Sequence, residues 1–210
     1  ILMGSGAVDD AYDVEQSLMF DRGDSAYLHR TPSSAGNRRT YTFSGWVKRT
    51  TLGAANGDCI FGTYDGSSES DATWTSLMFR GSGVSNTDAL AFNAWSTNYR
   101  ITNRLFRDTA AWYHIVVAVD TTIADASADN RVRIYVNGVE ETSFATKNNM
   151  SQNFDTAINN TQKHDIGAIS TYSPYYYFNG YMAEVHFIDG TALAASAFGE
   201  TDSDTGQWIP

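Results

Sequence analysis

Hydrolysis of a glycosidic bond needs two carboxyl groups, one acting as acid and the other as base or nucleophile. The acidic, strand-like segment closest to that requirement is "AEVHFID", with Glu184 and Asp189. Their opposite parity puts them on different faces of a strand unless a bulge intervenes, so they do not read as a catalytic couple. Other signatures are incomplete. "GSGVSN" lacks the third glycine of a dinucleotide loop, no Gly-x-Ser-x-Gly elbow occurs, and the four histidines show no zinc spacing. His114 and His186, each within an apolar run, read as structural. The single cysteine, Cys59 in "GDCIFGTY", reads as a buried thiol and allows no internal disulfide. The chain is therefore expected to be non-enzymatic.

Binding chemistry is better represented. Aromatic faces stack on pyranose rings while amides and acids bond the hydroxyls. The stretch "YSPYYYFNGY" carries six aromatic residues in ten positions, and Trp74, Trp95, Tyr172, Tyr175 and Tyr176 are the candidates for touching a sugar or a partner, with Asn93 and Asn98 near them in sequence. The competing reading is that these rings pack between sheets or against a neighbouring subunit. In "DGSSESD" the oxygens of Asp65, Ser67, Glu69 and Asp71 recur at every second position, the type of ligand a hard cation takes. The central glycine and distal glutamate of an EF-hand are missing, so Asp65, Glu69 and Asp71 are weak calcium candidates and otherwise solvated acidic residues. The "RGD" at Arg22 to Asp24 is too short a match to indicate adhesion.

Helical periodicity is almost absent. Short runs rich in Val, Ile, Tyr, Phe, Trp and Thr recur between clusters of Gly, Asn, Asp and Ser, which is an all-β pattern. In "TYTFSGWVKRT", Tyr41, Phe43, Gly45 and Val47 share one face; Trp46, among polar neighbours on the other, indicates that this second face is partly covered too. Further strands are expected in "DCIFGTYD", "WTSLMFR", "DALAFNAW", "NYRIT", "AWYHIVVAVD", "RVRIYVN", "VEETSFA", "HDIGAIS" and "YMAEVHFI". The spacing from Met182 to Val185 points to a bulge in the last of these. Asn137 and Gly138 accept the positive φ of a type I′ hairpin turn. Only "TALAASAFGE" looks helical, with Thr191 placed to cap it and Gly199 to end it. This many strands at such spacing call for a two-sheet antiparallel sandwich with one short helix after the last core strand.

Among the 210 residues 14 are basic and 24 acidic, a formal net charge of −10 that disfavours nucleic acid and anionic lipid as partners. No apolar run is long enough to insert in a membrane and the start carries no secretory signal, so a soluble protein is expected. We divide the chain into an extension (1–16), a sandwich domain (17–199) and a tail or start of a further segment (200–210).

The order of motifs is similar to the laminin-G-like, concanavalin A-like jelly rolls. "SLMFDRGDSAYL" resembles their opening strand and turn and "YTFSGWVKR" their first long core strand. "WYHIVVAVD" followed by "VRIYVNGVE" resembles the Trp-x-His strand with its Asn-Gly hairpin, and "FNGYMAEVHFIDGTAL" the closing strand. The resemblance runs from Ser17 to Phe198. It implies a jelly-roll fold and makes calcium the cofactor to consider. Hydrolases of this broad fold commonly carry Glu-x-Asp-x-x-Glu, which is not found here. "SAYLHRTPSSAGNRRTYTFSGWVKR" and "GYMAEVHFIDGTALAASAFGETDSDTGQW" also resemble segments of bacteriophage tail and appendage proteins. That resemblance implies a structural module of a virion, made in the host cytoplasm, which assembles with copies of itself or other virion proteins and presents a surface to host glycans. The alternatives are a free lectin-like module, with or without calcium, and a polysaccharide hydrolase.

Overall fold

A computed structural model describes residues 14, 16–172 and 176–210. The expected extension 1–16, apart from Val14 and Gln16, and the candidate Tyr175 lie outside the described residues.

Two antiparallel sheets form a sandwich. One has six strands, in the order β1 (Leu18–Phe20), β13 (Gly180–Asp189), β3 (Thr40–Arg49), β8 (Tyr113–Asp120), β9 (Val132–Val136) and β10 (Val139–Glu140). The other has seven: β11 (Phe144–Lys147), β7 (Asn98–Leu105), β6 (Ala89–Ala94), β5 (Trp74–Phe79), β4 (Asp58–Tyr64), β12 (His164–Ile166) and β2 (Leu28–Arg30). A two-stranded ribbon, β14 (Glu200–Thr201) with β15 (Trp208–Ile209), lies at the C-terminal end.

Alternation explains the core. Tyr41, Phe43 and Val47 of β3, with Ile115, Val117 and Val119 of β8, meet Ile60, Leu77, Phe79, Leu90 and Phe92 of the opposite sheet, all buried. Each such side chain removed from water contributes about 1.5–3 kcal/mol. The outer faces are also covered. On the six-stranded sheet, Val116, Ala118 and Tyr135 pack under Ala195, Phe198 and Trp208. Thr42 and Ser44 are buried there with their hydroxyls bonded, Ser44 to His114 of the next strand and Thr42 to the chain that lies over the sheet. Thr42 Oγ1 donates to Thr191 O (2.7 Å) and accepts from Leu193 N (2.8 Å).

The Asn-Gly hairpin joins β9 to β10, with φ of 49° at Asn137 and 79° at Gly138. The bulge in β13 lies between Ala183 and His186, where Glu184 takes φ 47°. Two expectations change. "VEETSFA" is not one strand: β10 stays on the six-stranded sheet while β11 crosses to the seven-stranded one. The short helix expected after the last core strand is the 3-10 turn Ala195–Ala197, but its N-cap is Ala194 rather than Thr191, and no side chain caps it.

Two sets of buried polar residues stand out by their pairing. Arg49 pairs with Asp58 (2.8 Å) and Asp88 (2.9 Å) and donates to Phe106 O (2.7 Å). His114 accepts the Trp208 indole N–H at Nδ1 (2.9 Å), so its proton sits on Nε2, facing Ser44 Oγ (2.9 Å). Burial, helped by His186, lowers its pKa to about 4. His186 itself stands on the exposed side, 3.4 Å from Glu184, because the bulge turns this part of the strand.

Candidate functional site

Three stretches converge over the outer face of the seven-stranded sheet: the β4–β5 connection, the β6–β7 turn and the chain after β12. Cys59, Met78, Ala91, Ile101 and Ile169 supply the apolar bed. Cys59 N–H donates to Tyr176 O (3.2 Å) and Thr171 Oγ1 to Tyr64 O (2.9 Å), which anchors the returning chain.

Four of the five aromatic candidates meet on this bed. Trp74 is the hub, with ring centroids 5.5 Å from Trp95, 5.0 Å from Tyr172 and 5.7 Å from Tyr176, each edge-on. Trp95 and Tyr172 also meet edge-to-face at 5.3 Å, whereas Tyr172 and Tyr176 are nearly parallel at 6.1 Å. Such pairs add about 0.5–1.5 kcal/mol each beyond area burial, so the rings form a stiff unit. Trp74, only 3% exposed, is a correction to the sequence expectation: neighbours on every side leave it no free face. Trp95, Tyr172 and Tyr176 are half-buried and border solvent. Tyr64, not among the candidates, joins the cluster 5.3 Å from Trp74. Its position at a strand end before an acidic loop was the only signal in sequence.

The acidic loop frames the cluster. Burial raises the Tyr64 hydroxyl pKa, and Glu69 and Asp65 add to the rise. Asp71 ties this loop to the β6–β7 turn by accepting from Ser96 N (2.7 Å), Ser96 Oγ (3.0 Å) and Thr97 Oγ1 (2.7 Å). Asp65 accepts from Ser67 N (2.8 Å) and Ser67 Oγ (2.9 Å). These oxygens of Asp65 and Asp71 are thus engaged by donors of the loops themselves. Among the described residues no three acidic, histidine or cysteine side chains come together as metal ligands. The amides are occupied as well, Asn93 Oδ1 by Ser76 Oγ (2.9 Å) and Asn98 Oδ1 by Arg80 (3.3 Å).

Glu184 sits in the bulge, and Asp189 Oδ1 accepts from Asn37 N (2.8 Å) and Asn159 Nδ2 (2.6 Å). Arg22 of the "RGD" is turned inward to Asp58 and to Tyr177 O (3.0 Å), which explains its place in the sequence structurally.

A laminin G-type family model, described as the concanavalin A-like lectin/glucanases superfamily, matches residues 21–197. No curated protein sequence matches the chain. Among solved structures, the chain is similar to a heptameric SAP-like pentraxin from Limulus polyphemus (17% identity, 89% of this chain and 82% of that one, TM-score 0.54). A protein from Bacteroides ovatus described as carbohydrate binding is similar at 17% identity over 87% of this chain and 54% of that one, TM-score 0.55. Domain 4 of an extracellular GH43 arabinanase from Geobacillus stearothermophilus, in complex with arabinotriose, is similar at 19% identity over 81% and 78%, TM-score 0.50. At these identities the likeness is one of fold.

Proposed function

This chain belongs to the concanavalin A-like lectin/glucanases superfamily, and we propose that it is a non-enzymatic carbohydrate-binding module whose sugar surface is formed by Trp95, Tyr172 and Tyr176. The observation that carries this reading is the convergence of these rings on the buried hub Trp74. Rings locked by their neighbours lose little freedom on binding, and half-buried aromatics beside polar loops suit the mixed surface of a pyranose. The arabinotriose-bound arabinanase domain and the Bacteroides ovatus protein support the reading by analogy of fold. Binding would proceed without calcium, since Asp65 and Asp71 already hold the loops together.

The test is a glycan array followed by calorimetry. Trp95→Ala and Tyr172→Ala should each weaken the best glycan at least tenfold, about 1.4 kcal/mol, at a temperature where circular dichroism shows the variants folded. A blank array, or variants that bind as well as the parent, would overturn the assignment. The non-enzymatic part fails if the protein cleaves a bound oligosaccharide and Glu184→Gln abolishes the cleavage.

We further place the module on a bacteriophage particle, in a tail fibre, spike or other appendage, assembled with copies of itself or other virion proteins. The support is the resemblance of the segments around Ser25–Arg49 and Gly180–Trp208 to phage appendage proteins. Mass spectrometry of purified particles without this chain would refute the placement.

A further inference from the structure

The two sheets are unequal along one flank. The seven-stranded sheet continues past β4 into β12 and β2. On the other sheet β1 pairs with β13 only opposite Gly180–Met182, so the half of β13 from Glu184 to Asp189 has no strand on that side among the described residues. The inner face of β4, β12 and β2 is therefore left open there.

Register shows which side chains fill the gap. Leu28, Ile166 and Phe61 form one cross-strand row and Arg30, His164 and Thr63 the next. Residues two apart on a strand share a face, so Arg30 stands beside Leu28 on the side that looks toward β13. There Phe187 lies 37% exposed, although it stacks on Tyr41 (5.7 Å) and leans on Phe61 (5.7 Å). Between them is a groove of about 570 Å³, with Asn159 and Asp189 also in its lining. This volume falls in the range of about 300–1,000 Å³ usual for small-molecule sites.

The groove has an apolar floor and one uncommitted cation. Of the basic side chains, those of Arg30 and Lys48 alone make no hydrogen bond, ion pair or ring contact among the described residues, in a chain whose formal net charge is −10. His164 does not compete for an anion. It accepts from Asn159 N at Nε2 (2.8 Å), bonds Gln162 O through Nδ1 (2.8 Å), and burial lowers its pKa.

We propose that this groove is a second ligand site, on the opposite face of the seven-stranded sheet from the aromatic cluster, and that it takes a hexuronate, a pyranose bearing a carboxylate. The guanidinium of Arg30 forks the carboxylate through two parallel N–H bonds. The apolar face of the ring lies on Phe187, Phe61 and Leu28, and Asn159 and Asp189 offer polar atoms to the hydroxyls. A neutral sugar would fill the same space and leave Arg30 unused, so the site selects by charge.

The experiment is titration of the intact protein with oligogalacturonate and with a galactose oligomer of equal length, followed by amide NMR shifts and calorimetry. The acidic oligomer should bind at least about tenfold more tightly, and added salt should reduce the preference. Arg30→Gln, at an exposed position, should abolish the preference, Phe187→Ser should weaken both ligands, and Trp95→Ala should leave the acidic oligomer unaffected. No binding of oligogalacturonate, or equal binding by Arg30→Gln, overturns the proposal. Loss of that binding in Trp95→Ala also overturns it, by returning the ligand to the aromatic cluster. Failure of the cluster's own reading would show separately, as glycan-array binding insensitive to Trp95→Ala.

Discussion

The His114–Trp208 contact makes stability depend on pH with a sign the structure determines. In the folded protein His114 is neutral, accepting from Trp208 and facing Ser44, and its pKa is lowered from 6.5 to about 4, chiefly by burial. As pH falls the unfolded chain therefore takes up the proton first. The contribution of His114 is complete above pH 6.5 and is lost progressively toward about pH 4. At about 1.4 kcal/mol per pH unit, that gap amounts to about 3 kcal/mol. The perturbation to make is His114→Gln, whose amide can accept from Trp208 and donate to Ser44 but cannot titrate. Urea unfolding at closely spaced pH values from 7 to 4 should show the parent losing about 3 kcal/mol more than the variant. Contributions of His164 and the carboxylates remain in both proteins and cancel in the difference. Parallel stability curves for the two proteins across this window would refute the assignment of a neutral, buried His114.

Three further outcomes are expected. Arg49→Met should cost about 3–5 kcal/mol, because it leaves Asp58 and Asp88 buried with their shared partner gone; a loss under 1 kcal/mol by urea unfolding would contradict this. Gly138→Ala should cost about 1–3 kcal/mol and alter the near-ultraviolet circular dichroism of tryptophan, since φ is 79° and an added Cβ would overlap the Trp208 indole; an unchanged spectrum and melting temperature would count against the packing described. Calcium should leave the melting temperature within about 1 °C of the chelator-treated value, and a rise of several degrees with calcium would show that the Asp65–Asp71 loop rearranges into a cation site.

Much of the fold was legible because its signals are local. Period-two alternation in Thr40–Arg49, the positive φ values demanded at Asn137 and Gly138, and the odd spacing in Gly180–Asp189 each concern residues a few positions apart. The same locality explains what was missed. "TALAASAFGE" does hold the short helix expected there, Ala195–Ala197, but Thr42, far away in sequence, binds the chain at Thr191 and Leu193, ahead of the turn. "VEETSFA" carries strand-favouring Val139 and Phe144, and only the pairing of two sheets decides that its start stays on one and its end joins the other.

For the sites, sequence composition alone singled out Trp74, Trp95, Tyr172, Tyr175 and Tyr176 as rings able to stack, and its acid excess argued against nucleic acid. Tertiary structure decided which ring became the hidden hub, that Tyr64 joined it, and that Asp65 and Asp71 accept hydrogen bonds from the loops around them. It also created the Arg30–Phe187 groove. That groove exists because one sheet extends two strands beyond β4 while, among the described residues, the strand opposite goes uncovered, a mismatch of long-range pairing that no short stretch of residues encodes.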